Sequence, residues 1–502
     1  MVNLTSPPGY SASVVAQLMT MRSQMEDLSR QLGTGMKATT YGGLGTERSV
    51  AVSLRSKLEN TGAFQQTIGL MDIRLKTTST TLTHMQNVID ETRKAFDPNQ
   101  FNLLSDGVTG QQKNAYNALN EFLGLMNSET AGRYMFGGRQ TDKPPAETID
   151  RIMDGFGTQA GFKQVMSERR LADIGTGNGR LSLTAAAGVV TLAEDGSHPF
   201  GFKLNAVTSS LANATVVAPS GSPQTTSVTF TGQPAVGQSL TVTLDMPDGT
   251  STSVTVKVGE TTEPDKGLFA LGATPDDTAA NLQSVLANRL AFAAGTDLTA
   301  ASAVAASGNF FDTFGGQAPQ RVDGPPFDTA TALVDGTVAN TMQWYKGENG
   351  ALAPGASPRN QVQAQVDTNV SISYGMRGNE EAFTWNMRQF AVMAAVDMSA
   401  GGTTEKALQS SLASKLKANL ASPPGTQTLT SVAMEIALAQ QGNKQAGERH
   451  TQTAGTVQTF LDGIEQSDKN EVGVKMLALQ TSMQASYQAT SILYKLSLTN
   501  YM

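Results

Sequence analysis

The residues best placed to do chemistry are Asp173-Ile174-Gly175-Thr176-Gly177-Asn178-Gly179, three alternating glycines behind an aspartate. A turn of this kind can bring backbone N–H groups close to a nucleotide cofactor, provided a buried strand precedes it and a helix follows. Here the charged run Ser167-Glu168-Arg169-Arg170-Leu171 precedes it and strand-like alternation follows, so it reads as a surface turn. Gly33-Thr34-Gly35-Met36-Lys37 lacks phosphate-loop spacing and reads as a helix break. His84, His198 and His450 stand far apart, with no second His or Glu at metal-ligand spacing. His450 falls on a heptad seam, where a packed histidine is expected. Asp276-Asp277 follow Thr274-Pro275. There the threonine caps a helix, the proline opens it, and the carboxylates suit its positive end. The expectation is a chain that is not an enzyme and uses no catalytic, cofactor-binding or metal residues.

Composition narrows the class further. Charged residues make up 16% of 502, below the usual quarter of a globular chain. Net charge is −7 and no basic cluster is longer than Arg169-Arg170, so the concentrated basic face that nucleic acid requires is missing. The chain has no cysteine, which removes disulfides and thiolate chemistry and suits passage through an export channel. No apolar run reaches 18 residues, so no membrane insertion is expected. Met1-Val2-Asn3-Leu4-Thr5-Ser6-Pro7-Pro8 has neither a basic region nor an apolar core, so export without a cleavable signal peptide is expected.

The elements that carry this composition are long helices with narrow apolar stripes. Val14, Leu18, Met21, Met25, Leu28 and Leu32 alternate four and three apart, a heptad stripe that cannot be buried by its own helix. The closing stretch carries Val472, Met476, Leu479 and Met483, then Tyr487, Leu493 and Leu496. These thirteen residues are the expected subunit-packing set. Many of the 21 methionines lie on such seams, where a flexible thioether suits surfaces that repack against several neighbours. A second seam runs Ile68, Met71, Leu75, Thr78, Leu82, Met85, Ile89, Thr92, Phe96, and a third runs Val432, Ile436, Ala439, Asn443, Ala446, His450, Thr453, Val457, Phe460, Ile464.

Between the helical ends the period changes to two. Leu181–Thr184, Gly188–Leu192, Ser227–Thr231, Ser239–Leu244 and Thr252–Val258 read as strands, with Met246-Pro247-Asp248-Gly249 turning a hairpin. A helix capped by Thr274 runs to about Phe292. The expected fold is mainly α: both termini form a long-helix coiled-coil bundle, with an inserted β-rich, α+β outer domain. The divisions are 1–45 for the N-terminal helix, with Ser11 or Ser13 as its cap, and 46–150 for a long-helix rod. Then come 151–217 for a β-rich connector and 218–315 for the inserted α+β domain. Residues 316–430 form return strands and helices, and 431–502 the C-terminal rod and terminal helix.

Leu28-Ser29-Arg30-Gln31-Leu32-Gly33-Thr34-Gly35-Met36-Lys37 resembles the N-terminal helix exit of the bacterial flagellin family, which includes the hook–filament junction proteins. Leu477-Ala-Leu-Gln480, Gln484-Ala-Ser-Tyr487-Gln-Ala489 and Leu496-Ser-Leu-Thr-Asn-Tyr501 resemble its C-terminal end. Gly132-Arg133-Tyr134-Met135-Phe136-Gly137-Gly138 looks like a segment of the junction-type members. The chain departs from the family at Tyr41-Gly42-Gly43-Leu44-Gly45, where most members place an Asn and an Asp pair. The resemblance covers about residues 10–145 and 365–502.

It implies a structural subunit exported unfolded by the flagellar type III apparatus, with an export chaperone, and polymerised outside the cell for motility. Its partners would be copies of itself in a helical polymer, hook-associated proteins and flagellin subunits. The terminal helices would line an inner tube and the insertion would form the exposed knob. Bulk filament subunit and junction adaptor both stay open. The rival from another class is a methyltransferase-like enzyme built on Gly175 to Gly179.

Overall fold

Long helices form at both ends of the chain and a sheet-containing region forms between them, so the fold mixes α and β. The computed structural model describes residues 9–421 and 427–499. The leader Met1–Pro8 and the Pro423-Pro424-Gly425 break lie outside the described residues, as do the side chains of Leu493 and Leu496. In chain order the helices are α1 (Gly9–Thr34), α2 (Arg48–Ala95), α3 (Gly110–Met126), α4 (Ile149–Asp154), α5 (Phe162–Ile174) and α6 (Pro275–Ala293). They continue with α7 (Thr299–Phe311), α8 (Glu381–Ala395), α9 (Thr403–Ala421), α10 (Leu429–Glu465) and α11 (Lys469–Thr499). Helix α1 is already formed at Gly9, so Ser11 and Ser13 lie inside it and neither is its cap.

The chain divides into two compact units. One holds residues 1–71, 365–371 and 442–502, the other 72–364 and 372–441. In the first, α1 lies along α11. The seam of α2 is buried at all nine expected positions, Ile68 through Phe96. Thr92 returns its hydroxyl to the Val88 carbonyl at 2.7 Å, the usual local solution for a threonine inside a helix. On α10 the seam holds from Val432 to Val457 and then slips. Phe460 is 62% exposed while Leu461 is buried. A straight helix drifts about 20° per heptad against a 3.5 repeat, and over four heptads the inward position moves on by one residue.

The second unit contains two four-stranded sheets. In one, the strands Leu181–Ala186, Val189–Glu194, Gln224–Phe230 and Ala214–Gly221 lie side by side in that order. In the other the order is Leu268–Ala270, Ser251–Gly259, Ser239–Asp245 and Lys203–Ser209, antiparallel except for the first pair. Inward residues alternate with outward Thr and Ser. Val242, Leu244, Val254, Val256 and Val258 meet Leu282, Val285 and Leu286 of α6 in one core. Thr274 and Asp277 form a reciprocal cap at the start of α6. Although Pro275–Phe311 is long and apolar enough to cross a bilayer, most of it is buried in this fold.

These pairings move an expected boundary. A division at 217/218 would separate Ala214–Gly221 from its neighbour Gln224–Phe230, and Lys203–Ser209 from Ser239–Asp245. The self-contained core starts at Leu181. Of the expected β-rich connector 151–217, the part from Leu181 onward is largely strand, while α4 and α5 occupy 149–174. Helix α5 packs on α7, and Phe162 meets Phe310 and Phe311 at ring separations of 5.7 and 5.2 Å. Glu168, Arg169 and Asp173 on it are buried rather than solvated, while Lys163 and Arg170 are exposed. Arg169 Nε donates to Asp173 at 2.8 Å, Arg169 Nη2 to the Pro199 carbonyl at 3.1 Å, and Arg321 pairs with Glu168.

Candidate functional site

The expected packing residues gather on the α1–α11 pair. Val14, Leu18, Met21, Met25 and Leu28 are half-buried along α1, as are Met476, Leu479 and Met483 on α11, and Val472 is buried. Gln31 meets Ser467, while Ser23 and Gln24 share an open groove with Leu479 and Ser482. Moving back along α1 therefore moves forward along α11, and the pair is antiparallel. Each stripe covers the other on one side only. Leu32 sits at the edge, 37% exposed.

Tyr487 is not part of that seam. It is 56% exposed, and the half-buried positions after Met483 are Ser486 and Thr490. A four-three alternation from Met476 passes through 479, 483, 486 and 490, so Tyr487 falls one residue off the inward face. The outer half of α11 thus offers small hydroxyl side chains where α1 offers Leu18 and Val14. Further apolar side chains are exposed on each helix, Val15 and the 68% exposed Met19 on α1, and Val474 and Leu477 on α11.

The glycine exit of α1 does more than end a helix. Gly35, at φ +74°, turns the chain so that Met36 forms an antiparallel bridge with Gln466. Lys37 N donates to the Glu465 carbonyl at 2.8 Å, and Ser467 N to the Gly35 carbonyl at 2.9 Å. Lys37 Nζ donates to the Gly463 carbonyl at 2.7 Å, a cation at the negative end of α10. Arg55 of α2 grips Glu465 through Nε and Nη2 at 2.9 and 2.6 Å, and its guanidinium lies 5.6 Å from the Tyr41 ring centroid. The hydrogen bonds to Glu465 raise the Arg55 pKa. These contacts were not foreseen, since their partners lie some 400 residues apart.

The Gly132–Gly138 segment is also structural. Phe136 is fully buried, edge-on to Phe383 at 5.3 Å, and its carbonyl accepts from Gly378 N and from Tyr345 OH. A Cβ on Gly138 would lie 2.8 Å from a Glu348 carboxylate oxygen. Glu348 holds Arg139 through Nε at 2.8 Å and Arg377 through Nη2 at 3.0 Å. Burial would raise the Glu348 pKa, but the hydrogen bonds from Arg139 and the charge of Arg377 outweigh it and hold it below its ordinary value.

Asp173 to Gly179 closes α5 and leads into a strand, the reverse of a cofactor loop. Gly175 N, Gly177 N and Gly179 N are spent on the Leu171 and Ile174 carbonyls as a helix ending. Asp173 is buried, bound to Arg169 and to Gly201 N at 2.9 Å, so neither the amides nor the acid are free for a ligand. His84 is exposed. His198 is buried beside Asp195, and His450 stacks on Phe64 at 5.3 Å with Nε2 on the Val366 carbonyl at 2.8 Å. Among the described residues no three His, Asp or Glu side chains cluster to hold a metal ion. Asp276 is exposed, while Asp277 accepts from Thr274 N at 3.1 Å in the helix cap.

No protein-family model matches the chain. No curated protein sequence matches it either.

Proposed function

We propose that this chain is a non-enzymatic structural subunit of the bacterial flagellum, of the flagellin kind. One observation carries the reading. The two terminal helices form a single pair whose stripes are half-covered, and Val15 and Met19 of α1 and Val474 and Leu477 of α11 face solvent. Apolar surface of this kind is buried by neighbouring helices, and copies of the same pair supply them. The terminal helices then form a coiled-coil bundle with other subunits, and the sheet-containing insertion forms the outer domain. The subunit is exported unfolded through the flagellar type III apparatus, with an export chaperone, and assembles extracellularly next to hook-associated and flagellin subunits.

The methyltransferase-like rival loses its basis, because the turn it needs is capped by its own helix. Labelling the protein on isolated flagella tests the proposal. Signal along the whole length makes it a filament subunit, and signal only at the end of the hook makes it a junction adaptor. Absence from flagella overturns the reading.

A further inference from the structure

The seam between α1 and α11 does not by itself specify how far one helix slides along the other. Val14, Leu18, Met21, Met25 and Leu28 are aliphatic or thioether side chains in an even heptad series. Sliding α1 by seven residues, about 10 Å, would again set apolar beside apolar. Methionines adapt to either arrangement, and Ser486 and Thr490 add no bulky residue that would forbid the slide.

The polar contacts at one end of the pair have a single register. Met36 pairs only with Gln466, and Ser467 Oγ donates to the Gln31 carbonyl at 3.1 Å. Glu465, the last residue of α10, is a carboxylate at the negative end of a helix, which the helix dipole disfavours. The bidentate fork of Arg55 offsets that penalty, and Lys37 Nζ on the Gly463 carbonyl brings a second cation to the same helix end. We propose that Lys37, Arg55 and Glu465 are positioning residues that set the register of α1 against α11 in the free chain. The helices supply the adhesion and the clamp supplies the alignment. This extends the assembly reading but does not need a polymer to be tested.

The absence of cysteine makes the test direct. Matching the half-buried positions of the two antiparallel helices sets Met25 opposite Leu479, so a Met25→Cys, Leu479→Cys chain reports the observed register with a short bis-maleimide. A Leu18→Cys, Leu479→Cys chain reports the register slipped by one heptad. The in-register pair should cross-link in preference. Glu465→Gln should move the ratio towards the slipped pair by about two- to fivefold, the effect of losing a partly exposed bidentate ion pair. The exchange Arg55→Glu with Glu465→Arg should recover part of the original ratio. Circular dichroism of each variant shows whether the helices are still formed. If Glu465→Gln removes helix, Lys37→Met, which leaves the ion pair in place, carries the test. An unchanged ratio with helices intact overturns the proposal. Filament formation, scored separately, decides the assembly reading and is independent of this ratio.

Discussion

The sheet-containing core and the terminal helix pair bury apolar surface by different rules. In the core, Val256, Phe269, Leu282 and Val285 are completely buried and belong to one cluster. Its apolar surface is consumed inside the chain. In the terminal pair the seam is half-covered and Met19 and Leu477 are among the most exposed large side chains. A monomer gains nothing from that exposed surface. The contrast separates a region that buries its apolar surface within the chain from one whose apolar surface stays exposed in the single chain, and it can be broken from either side.

Deletions should have the largest effect. Removing 218–315 takes Gln224–Phe230 out of the first sheet and Ser239–Gly259 out of the second, exposing the remaining strand edges and core. That variant should be insoluble or unfolded. Removing 181–293 takes out both sheets and α6 together, and should leave a soluble chain that still assembles. Equal solubility of the two variants would show that the two sheets do not form one unit.

Leu479→Asp comes next. The sequence offers no basic residue on the stripe itself, but Lys475 lines the same groove four residues earlier, paired to Glu471 at 2.6 Å. The replacement is therefore best made with Lys475→Met. A carboxylate buried without a partner costs several kcal/mol, incurred again in every subunit. Sedimentation should show no polymer, while calorimetry shows the melting of the central region unchanged. Normal polymerisation would remove the terminal seam from the assembly surface. Conversely, Leu286→Ala in the core should lower central stability by roughly 2–5 kcal/mol, with assembly kept below the new melting temperature.

The two regions were also unequally legible in the sequence. Every seam position from Ile68 to Phe96 is buried, because a long helix repeats one local rule and each repeat reinforces the last. The hairpin at Met246–Gly249 and the Thr274 cap are local chemistry and were readable for that reason. Helix α7 was not, since its Ala- and Ser-rich residues are buried on nearly every side and leave no amphipathic period. Nor was α5, whose Glu168 and Arg169 resemble a solvated surface until Arg321, Asn309 and the Pro199 carbonyl fold over them. At the candidate site the apolar stripe was legible and the clamp was not, because Arg55 and Glu465 find each other only in three dimensions.

A smaller effect tests the local chemistry of the core. Thr274→Ala removes the hydroxyl that accepts from Asp277 N at 3.2 Å and should cost about 1 kcal/mol by chemical denaturation. Asp276→Ala, which loses only a favourable dipole interaction, should cost less than about 1 kcal/mol. If Asp276→Ala costs more than Thr274→Ala, the capping assignment is wrong.

The smallest expected effect is a pH dependence confined to the second unit. Phe200 N donates to His198 Nδ1 at 3.3 Å, so Nδ1 carries no proton, while Nε2 lies 2.7 Å from Asp195 Oδ1 and 2.9 Å from Arg180 Nη2. Protonating Nδ1 would break the bond from Phe200. Burial opposes the charge most strongly and Lys203 and Arg180 add to it, outweighing Asp195, so the His198 pKa lies below its ordinary 6.5. The unfolded chain therefore takes up a proton first. The stability that neutral His198 contributes is fully present above the ordinary value and is lost as pH falls through the lowered one. Melting of the central region should be level from about pH 8 to 7 and decline below about 6.5. His198→Gln, which keeps a polar side chain but does not titrate, should flatten that decline. Glu147 and Glu348, held below 4.5, act only in a more acidic window. A decline near neutrality that survives in His198→Gln would assign it elsewhere. The α1–α11 pair contains no histidine, so its cross-linking ratio should stay constant over the same range.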